Sequence, residues 1–569
     1  MWSAVAVGSL ALALAALGWL GARAWVDRLL PRCASGLPLA WFRIAYACVL
    51  FLEVSQLAHT ESLWSDAIPG GSAGDARLGC ALLGWRVAIA CLALGLFTRP
   101  AALVNYAMTL ATLATFDRFE YHVDYVFTTL NLLLLATPVS ARLSLDRAMA
   151  DLRRARAGLA PLPRAAVSEL HASLLVVFGV GVVYFDSVFY KLVSPMWRGG
   201  LGMWLPASLP HVAWNDLGPL LDCEWLVKGL GWLTLAFEAL FLALVGWRAL
   251  RPWLLAVGLA LHLGIALVFP IPWFGLAVAA LYLLLVPAAW YEAAGRWLAR
   301  AAARSAPWRA AARRLRDGVE TLLAALPADA AASAGGPPRA VLVGLTAFLL
   351  ASQAVATLQA PLVREVAQRA HLGAWLRAVR PAAEAFTDAV SRPLAGITRH
   401  GVFMDRHFRG YEHVIAVASV DAQGRETLLP LWDASGSPTR LQTGRLWVYW
   451  NWRAVGPRPD PARLADGVRR ITAFWAGLHD QSLDDARFVV RVKRIAVPTG
   501  WERGWLRREK ARPWSELARA RWSAGRFAWE PHPVSGTVFG SSPSGTLSGT
   551  VFRSSRHSDS SPADPRPRI

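Results

Sequence analysis

The chain has 569 residues, 55% of them hydrophobic and only 17% charged, with a net charge of +20 and a mean hydropathy of +0.35. That is too apolar for a soluble protein and too long for one core, so a polytopic membrane protein is expected. The positive charge does not mark nucleic acid, because the arginines fall between apolar segments and not on a basic face interleaved with aromatics.

Ten stretches are apolar and long enough to cross about 30 Å of hydrocarbon at about 1.5 Å per residue. They lie near 2–20, 38–58, 78–97, 100–117, 121–138, 168–190, 228–248, 252–270, 271–290 and 339–358. The first lacks a positive n-region and is followed by Arg23, Arg28 and Arg32, so it reads as a retained anchor; the Ala22-Arg23-Ala24 triplet leaves a cleaved signal open. Thr98-Arg99-Pro100 and Phe269-Pro270-Ile271-Pro272 turn two tight helical hairpins, as proline suits. Four of the five cysteines lie in or beside these helices, and there is no CxxC pair, so neither a disulfide framework nor a zinc site is indicated.

The loops 21–37, 139–167 and 291–338 hold arginine clusters, and all three fall on one side under the ten-span reading, with Arg99 and the Arg248/Arg251 pair. The intervening loops are acidic or mixed, carrying Glu61, Asp66 and Asp75, then Asp216, Asp222 and Glu224. The positive-inside rule makes the basic side cytoplasmic and both termini extracytoplasmic, in a multi-pass cell-membrane protein.

Organisation along the chain follows. Residues 1–37 are the anchor and a cytoplasmic loop, 38–290 the transmembrane domain, 291–338 an Ala/Arg-rich cytoplasmic loop and 339–358 the last span. Residues 359–533 read as an extracytoplasmic α+β domain: an amphipathic helix over 361–398, strands in VIAVASV and RLWVYWNW, a helix near 461–478 and a strand in ARFVVRVKRIAV. Residues 534–569 are Ser/Gly/Pro-rich and expected to be disordered. The fold class is thus mainly α, a transmembrane bundle with a C-terminal α+β domain.

Polar groups near or within the spans are the candidates for chemistry: His122 with Asp124, Asp186 with Lys191, and His262. An unpaired ammonium at membrane depth costs about 2.5–3.5 kcal/mol on insertion scales, so Lys191 is either a snorkelling anchor or a working group. A desolvated lysine gives up its proton readily and becomes a base, and a nearby histidine can shuttle protons. The bland readings are that the histidines bond neighbouring helices, that Trp197, Trp204 and Trp214 form an interfacial belt, and that Asp117, Glu120 and Asp124 are a solvated cap. His400, Asp405, His407, Glu412 and His413 are metal-capable but poorly spaced, and no metal is expected.

WFRIAYACVLFLEV, GLFTRPAALVNYAMTLATLATFDRFEYHVDYVFTTLNLLLL, YFDSVFYKLVSPMWRGG and LHLGIALVFPIPWFGL resemble the horizontally transferred transmembrane (HTTM) domain, over residues 38–290. That family contains vitamin K-dependent gamma-carboxylase and many bacterial membrane proteins, and the segment from GVFMDRHFRGYEHVIAV to FVVRVKRIAVP, residues 401–498, resembles the C-terminal part of its bacterial members. The resemblance implies that Lys191, in FYKLVSPMW, is the catalytic amine that deprotonates a vitamin K or menaquinone hydroquinone. It further implies that His122 orients the quinone oxygen and that His262 supports it. The carboxylase has two adjacent lysines where this chain has Tyr190-Lys191, and this chain has no recognisable propeptide-binding region. The implied partners are the bilayer, a lipid quinone and a secreted peptide or protein substrate. A non-enzymatic membrane scaffold or maturation partner for a secreted peptide is the alternative.

Overall fold

The computed structural model describes residues 2–64, 76–115, 121–160, 166–215, 217–325, 336–408, 411–456, 459–532 and 538. Asp66, Asp75, Asp117, Glu120, Asp216 and the tail expected to be disordered, 539–569 with 534–537, lie outside them.

Six helices have the length and hydropathy of membrane spans: α2 (Leu37–His59), α3 (Arg77–Leu94), α7 (Glu169–Lys191), α8 (Glu224–Leu244), α9 (Arg248–Val268) and α13 (Arg339–Thr357). The other four expected spans are also helical but stand apart. α1 (Trp2–Leu29) packs along α13, and α4 (Thr98–Thr115) packs between α3 and α5 (Val123–Ala136). α5 has 14 residues, about 21 Å, which is short for a bilayer. α10 (Pro272–Leu285) bends by 95° into α11 (Ala288–Arg304), so the pair is a broken element and not one straight span.

α4 is less apolar for a structural reason. Its Asn105 accepts from Trp85 Nε1 at 2.7 Å and donates to Asn131 Oδ1 at 2.7 Å; Asn131 donates to Thr109 at 2.8 Å and accepts from Tyr46 at 2.7 Å. These groups are buried, and closing the network internally is how polar side chains are tolerated among packed membrane helices. Between α5 and α7 lies the short surface helix α6 (Leu145–Arg156), which packs against α12 (Ala306–Ala325).

At the basic end, β1 (Cys33–Ser35) pairs antiparallel with β2 (Ala166–Ser168) and ties the loop after α1 to the start of α7. Beyond α13, α14 (Pro361–Arg369) and α15 (Gly373–Phe386) run into a π turn and a last helical turn, Arg392–Ala395. The outer domain follows. Its antiparallel sheet has the order β4-β3-β5-β6-β7, from β3 (Tyr411–Val420), β4 (Glu426–Leu428), β5 (Arg487–Ala496), β6 (Ser515–Ser523) and β7 (Arg526–Pro531). α16 (Pro461–Leu478) is where the sequence placed it, capped by Asp460, whose side chain accepts from Arg463 N at 2.9 Å.

RLWVYWNW is helical, not a strand: Arg445–Val448 is an α turn and Tyr449–Val455 a π-helix. Leu446, Trp447, Tyr449 and Trp450 are all buried, and in a short, wholly buried apolar run periodicity does not separate strand from helix. The β6–β7 hairpin, in turn, carries arginines on its exposed face and was not anticipated.

One contiguous core runs from Ala22 in α1 to Trp529 in β7, so bundle and outer domain are packed as one body. The junction is charged. Arg445 Nη2 donates to Asp124 Oδ1 at 2.5 Å and to Glu53 Oε1 at 3.1 Å, Nη1 donates to Asp124 Oδ2 at 3.0 Å, and all three side chains are buried. Nearby, Gln56 bridges Thr443 and Trp273. Removing one partner from such a cluster strands the remaining charges. Arg445→Ala should cost about 3–5 kcal/mol and loosen the outer domain first; thermal unfolding in detergent with limited proteolysis of the 411–531 region checks this.

A second prediction concerns pH. Burial holds His211 at about 4, helped by the charge of His413, and holds His413 at about 4, helped by Arg494; burial pushes Glu412 up to about 8. As pH falls from about 6.5 to 4 the unfolded chain takes up two histidine protons that the folded protein refuses, so stability is lost on acidification. Between about 4.5 and 8 the folded protein keeps a Glu412 proton that the unfolded chain releases, so this term is lost as pH rises. The two terms together place the optimum near pH 6.5. Glu412→Gln should flatten the alkaline limb of the unfolding midpoint measured from pH 4 to 9.

Candidate functional site

The expected site residues, Lys191 of α7, His262 of α9 and His122 at the N-terminal edge of α5, meet in one cavity. Tyr121, His122, Tyr184, Lys191, Glu238, His262 and His400 line a space of ≈ 120 Å³, walled by Trp197, Phe269, Phe274 and Phe403. Lys191, Glu238, His262 and His400 are respectively 6%, 7%, 2% and 3% exposed.

α7 delivers the lysine. Ser168 caps it, accepting from Leu170 N at 3.1 Å, and a π turn at Val177–Gly181 precedes the last stretch. Beyond that turn Tyr184, Ser187 and Lys191 recur at helical spacing and face the cavity together. The chain then turns at Ser194, whose side chain accepts from Trp197 N at 3.3 Å, and folds Trp197 back so that Lys191 Nζ sits 4.1 Å from its ring centroid.

Lys191 does not snorkel. Its Nζ donates to both carboxylate oxygens of Glu238 on α8, each at 2.6 Å. The charged lysine is thereby satisfied from two sides, by carboxylate and by indole face. Glu238 was missed by sequence reasoning, although a lone glutamate within LTLAFEALFL carries the same signal as a lone lysine.

His262, on α9, shares a 2.5 Å hydrogen bond through Nε2 with the Tyr184 hydroxyl, which meets the Tyr282 hydroxyl at 2.8 Å. Its Nδ1 is buried with no hydrogen-bond partner among the described residues. Gly258, one turn earlier, leaves room for the Tyr282 ring, which a β-carbon there would strike.

His122 precedes α5, and its Nε2 lies 3.0 Å from His400 Nδ1, so one ring donates and the other accepts. Burial and the neighbouring His122 hold His400 well below the ordinary histidine range, which keeps it neutral. Its backbone N–H donates to Asp186 Oδ2 at 2.7 Å, and Asp186 also accepts from Thr357 at 3.2 Å. Asp186 therefore secures the incoming strap and does not pair with Lys191.

Residues 396–408 thus reach back into the bundle. Gly396, at φ +67°, turns the chain where a side chain would strike the Tyr125 carbonyl. Further on, Phe403 O accepts from Trp197 Nε1 at 3.0 Å, and Asp405 accepts from Met196 N at 3.0 Å. The metal-capable run is used in this way: His400 serves the cavity, Asp405 binds backbone, and His407 accepts from Met404 N at 3.1 Å. Trp197 and Trp204 are buried side chains and not belt residues, while Trp214 donates to Leu267 O at 2.7 Å.

Lys191→Met should cost about 3–5 kcal/mol because it strands the Glu238 carboxylate. Lys191→Met combined with Glu238→Gln should recover most of that loss, as a lower and then restored unfolding midpoint in detergent would register.

No protein-family model, curated protein or solved structure matches this chain.

Proposed function

We propose that the protein is an integral membrane enzyme of the HTTM, gamma-carboxylase-like kind, in which Lys191 acts as a base on a reduced lipid quinone in service of an extracytoplasmic substrate. The observation that carries this reading is the convergence of Lys191, His122 and His262, three residues singled out from sequence alone, on one buried cavity.

The residues present suit such a ligand. The cavity is walled by aromatic rings, and His122 and His400 stand among them as polar lining residues. A second, almost wholly apolar space of ≈ 480 Å³ between α8 and α9 shares Met203, Thr234, Leu261 and Phe269 with the first. Its rim includes the exposed Leu230, Leu233 and Trp253, so it opens toward lipid, as a ligand with a long apolar tail requires.

A reduced quinone would supply the electrons that let oxygen generate a strong base. The chain's part is proton management. At rest Nζ of Lys191 is an ammonium held by Glu238. Passing one proton from Nζ to a Glu238 oxygen leaves a neutral amine and a neutral acid, which removes two opposite charges from a low-dielectric site. The freed lone pair on Nζ then takes a proton from a hydroxyl presented in the cavity, and the ammonium returns beneath the Trp197 ring. The hydrogen-bonded His122–His400 pair is placed to hold the ligand oxygen by hydrogen bonding.

The topology goes with this reading. Counting α1, α4, α5 and α10 with the six span-length helices gives ten crossings, puts the basic end in the cytoplasm and puts the cavity mouth and the outer domain outside.

The second reading, a non-enzymatic scaffold or maturation partner for a secreted peptide, is favoured by one observation: Lys191 is fully paired by Glu238 and Trp197. Proteoliposomes given reduced vitamin K or menaquinone, oxygen and bicarbonate decide between them. Wild type should form quinone epoxide and the Lys191→Met/Glu238→Gln double variant, once its unfolding midpoint shows it folded, should not. Equal turnover, or no Lys191-dependent binding of the quinone by the folded wild type, would sink the enzymatic reading.

A further inference from the structure

At the basic end of the bundle α11 leaves α10 at 95°, so it runs across the end of the spans and not along them. It has 17 residues, none of them buried. Such a helix has no core to hold it, and its sequence pattern names what does.

At 3.6 residues per turn, Trp290, Ala294, Trp297 and Ala301 form one stripe, and Glu292, Arg296, Arg300 and Arg304 another. Trp290 and Trp297 are 58% and 63% exposed. Only Ala288, Tyr291 and Ala302 are partly covered, and they face the bundle: Tyr291 stacks on Trp41 at 6.1 Å and donates to Leu283 O at 2.8 Å. The apolar arc therefore continues from the protein to the two tryptophans, and the arginine stripe borders it.

The charges of this stripe are not neutralised by the protein itself, although Arg300 Nε donates to Arg296 O at 3.3 Å. Arg248, Arg339, Arg425, Arg491 and Arg521 each reach a carboxylate. Among the described residues Arg296, Arg300 and Arg304 have no carboxylate within 4.0 Å, and Glu292 sits one turn from Arg296 without pairing. α12 continues the pattern with exposed Trp308, Arg309, Arg313 and Arg314. The exposed Trp247 and Trp253 lie at the turn that enters α9, at this same end.

We propose that α11, continued by α12, is a surface arm that lies in the bilayer interface. Its tryptophans sit at the headgroup–acyl boundary, and Arg296, Arg300 and Arg304 bind the phosphates of anionic phospholipid. An unburied amphipathic helix with Trp on one face and Arg on the next is the pattern of interfacial binding. Charge complementarity selects anionic over zwitterionic headgroups. The arm also anchors the exit of α10, the helix that supplies Tyr282 to the hydrogen-bond chain on His262.

The test is hydrogen–deuterium exchange of residues 288–304 in the full chain, held in nanodiscs of phosphatidylglycerol or of phosphatidylcholine. Exchange should be slower in phosphatidylglycerol, and Arg296→Gln/Arg300→Gln/Arg304→Gln should remove that difference, by about fivefold per arginine in docking equilibrium. Trp290→Ala/Trp297→Ala should speed exchange in both lipids. Peptides from α7 and α8, which hold the cavity, should be unchanged in every variant. Equal exchange in the two lipids, or a triple variant as protected as wild type in phosphatidylglycerol, would overturn the proposal and point to a protein partner or to self-packing.

Discussion

A charge placed where the bilayer would otherwise surround it must find its opposite, and that requirement shapes this molecule. Two buried clusters meet it. Lys191 with Glu238 joins α7 to α8, and Arg445 with Asp124 and Glu53 joins the outer domain to α5 and α2. Neither is a bargain in stability, since desolvating the ions offsets much of their attraction. What they supply is register: each fixes which helices are neighbours and at what height.

The second cluster also reaches the site. Asp124 accepts from Tyr121 N at 2.8 Å as well as from Arg445, so the latch that seats the outer domain orients the Tyr121-His122 corner. On the other side Asp186 holds His400 through its backbone and brings the strap beneath Trp197. The cavity is therefore a joint product of the bundle and the chain that follows it, and each part closes what the other leaves open. Beside it, residues of α8 and α9 line an apolar chamber instead of a packed seam.

Much of this was legible in the sequence because hydrocarbon makes polar residues conspicuous. Lys191, His122 and His262 stood out against apolar runs, and the helices containing or following them were found within a few residues. Glu238 carried the same signal and was passed over, because a glutamate amid leucines has no motif around it. His400 was not legible as a site residue: it comes from 209 positions beyond Lys191, through a strap whose path depends on Gly396 and Asp186. The span count was harder to fix, since α4 trades hydropathy for the Asn105–Asn131 network and α5 is short. RLWVYWNW was read as a strand because its near-continuous burial, broken only at the half-buried Val448 and Trp452, leaves no periodicity to separate strand from helix.

Whether Lys191 is an anchor or a working group turns on what surrounds its ion pair. A pair kept only for architecture is best served by dense packing, because free volume beside it forfeits dispersion contacts and invites water. Here the pair faces a cavity, with the hydrogen-bonded His122 and His400 imidazoles among its lining. The carboxylate that satisfies the ammonium is also the nearest group able to take its proton, so on the proposed reading the same contact would serve a resting state and a reactive one. Free space and a ready proton acceptor beside a buried ion pair cost stability, and that cost is the physical ground of the proposed enzymatic reading: a ligand would recover it on binding, whereas a scaffold would carry it throughout.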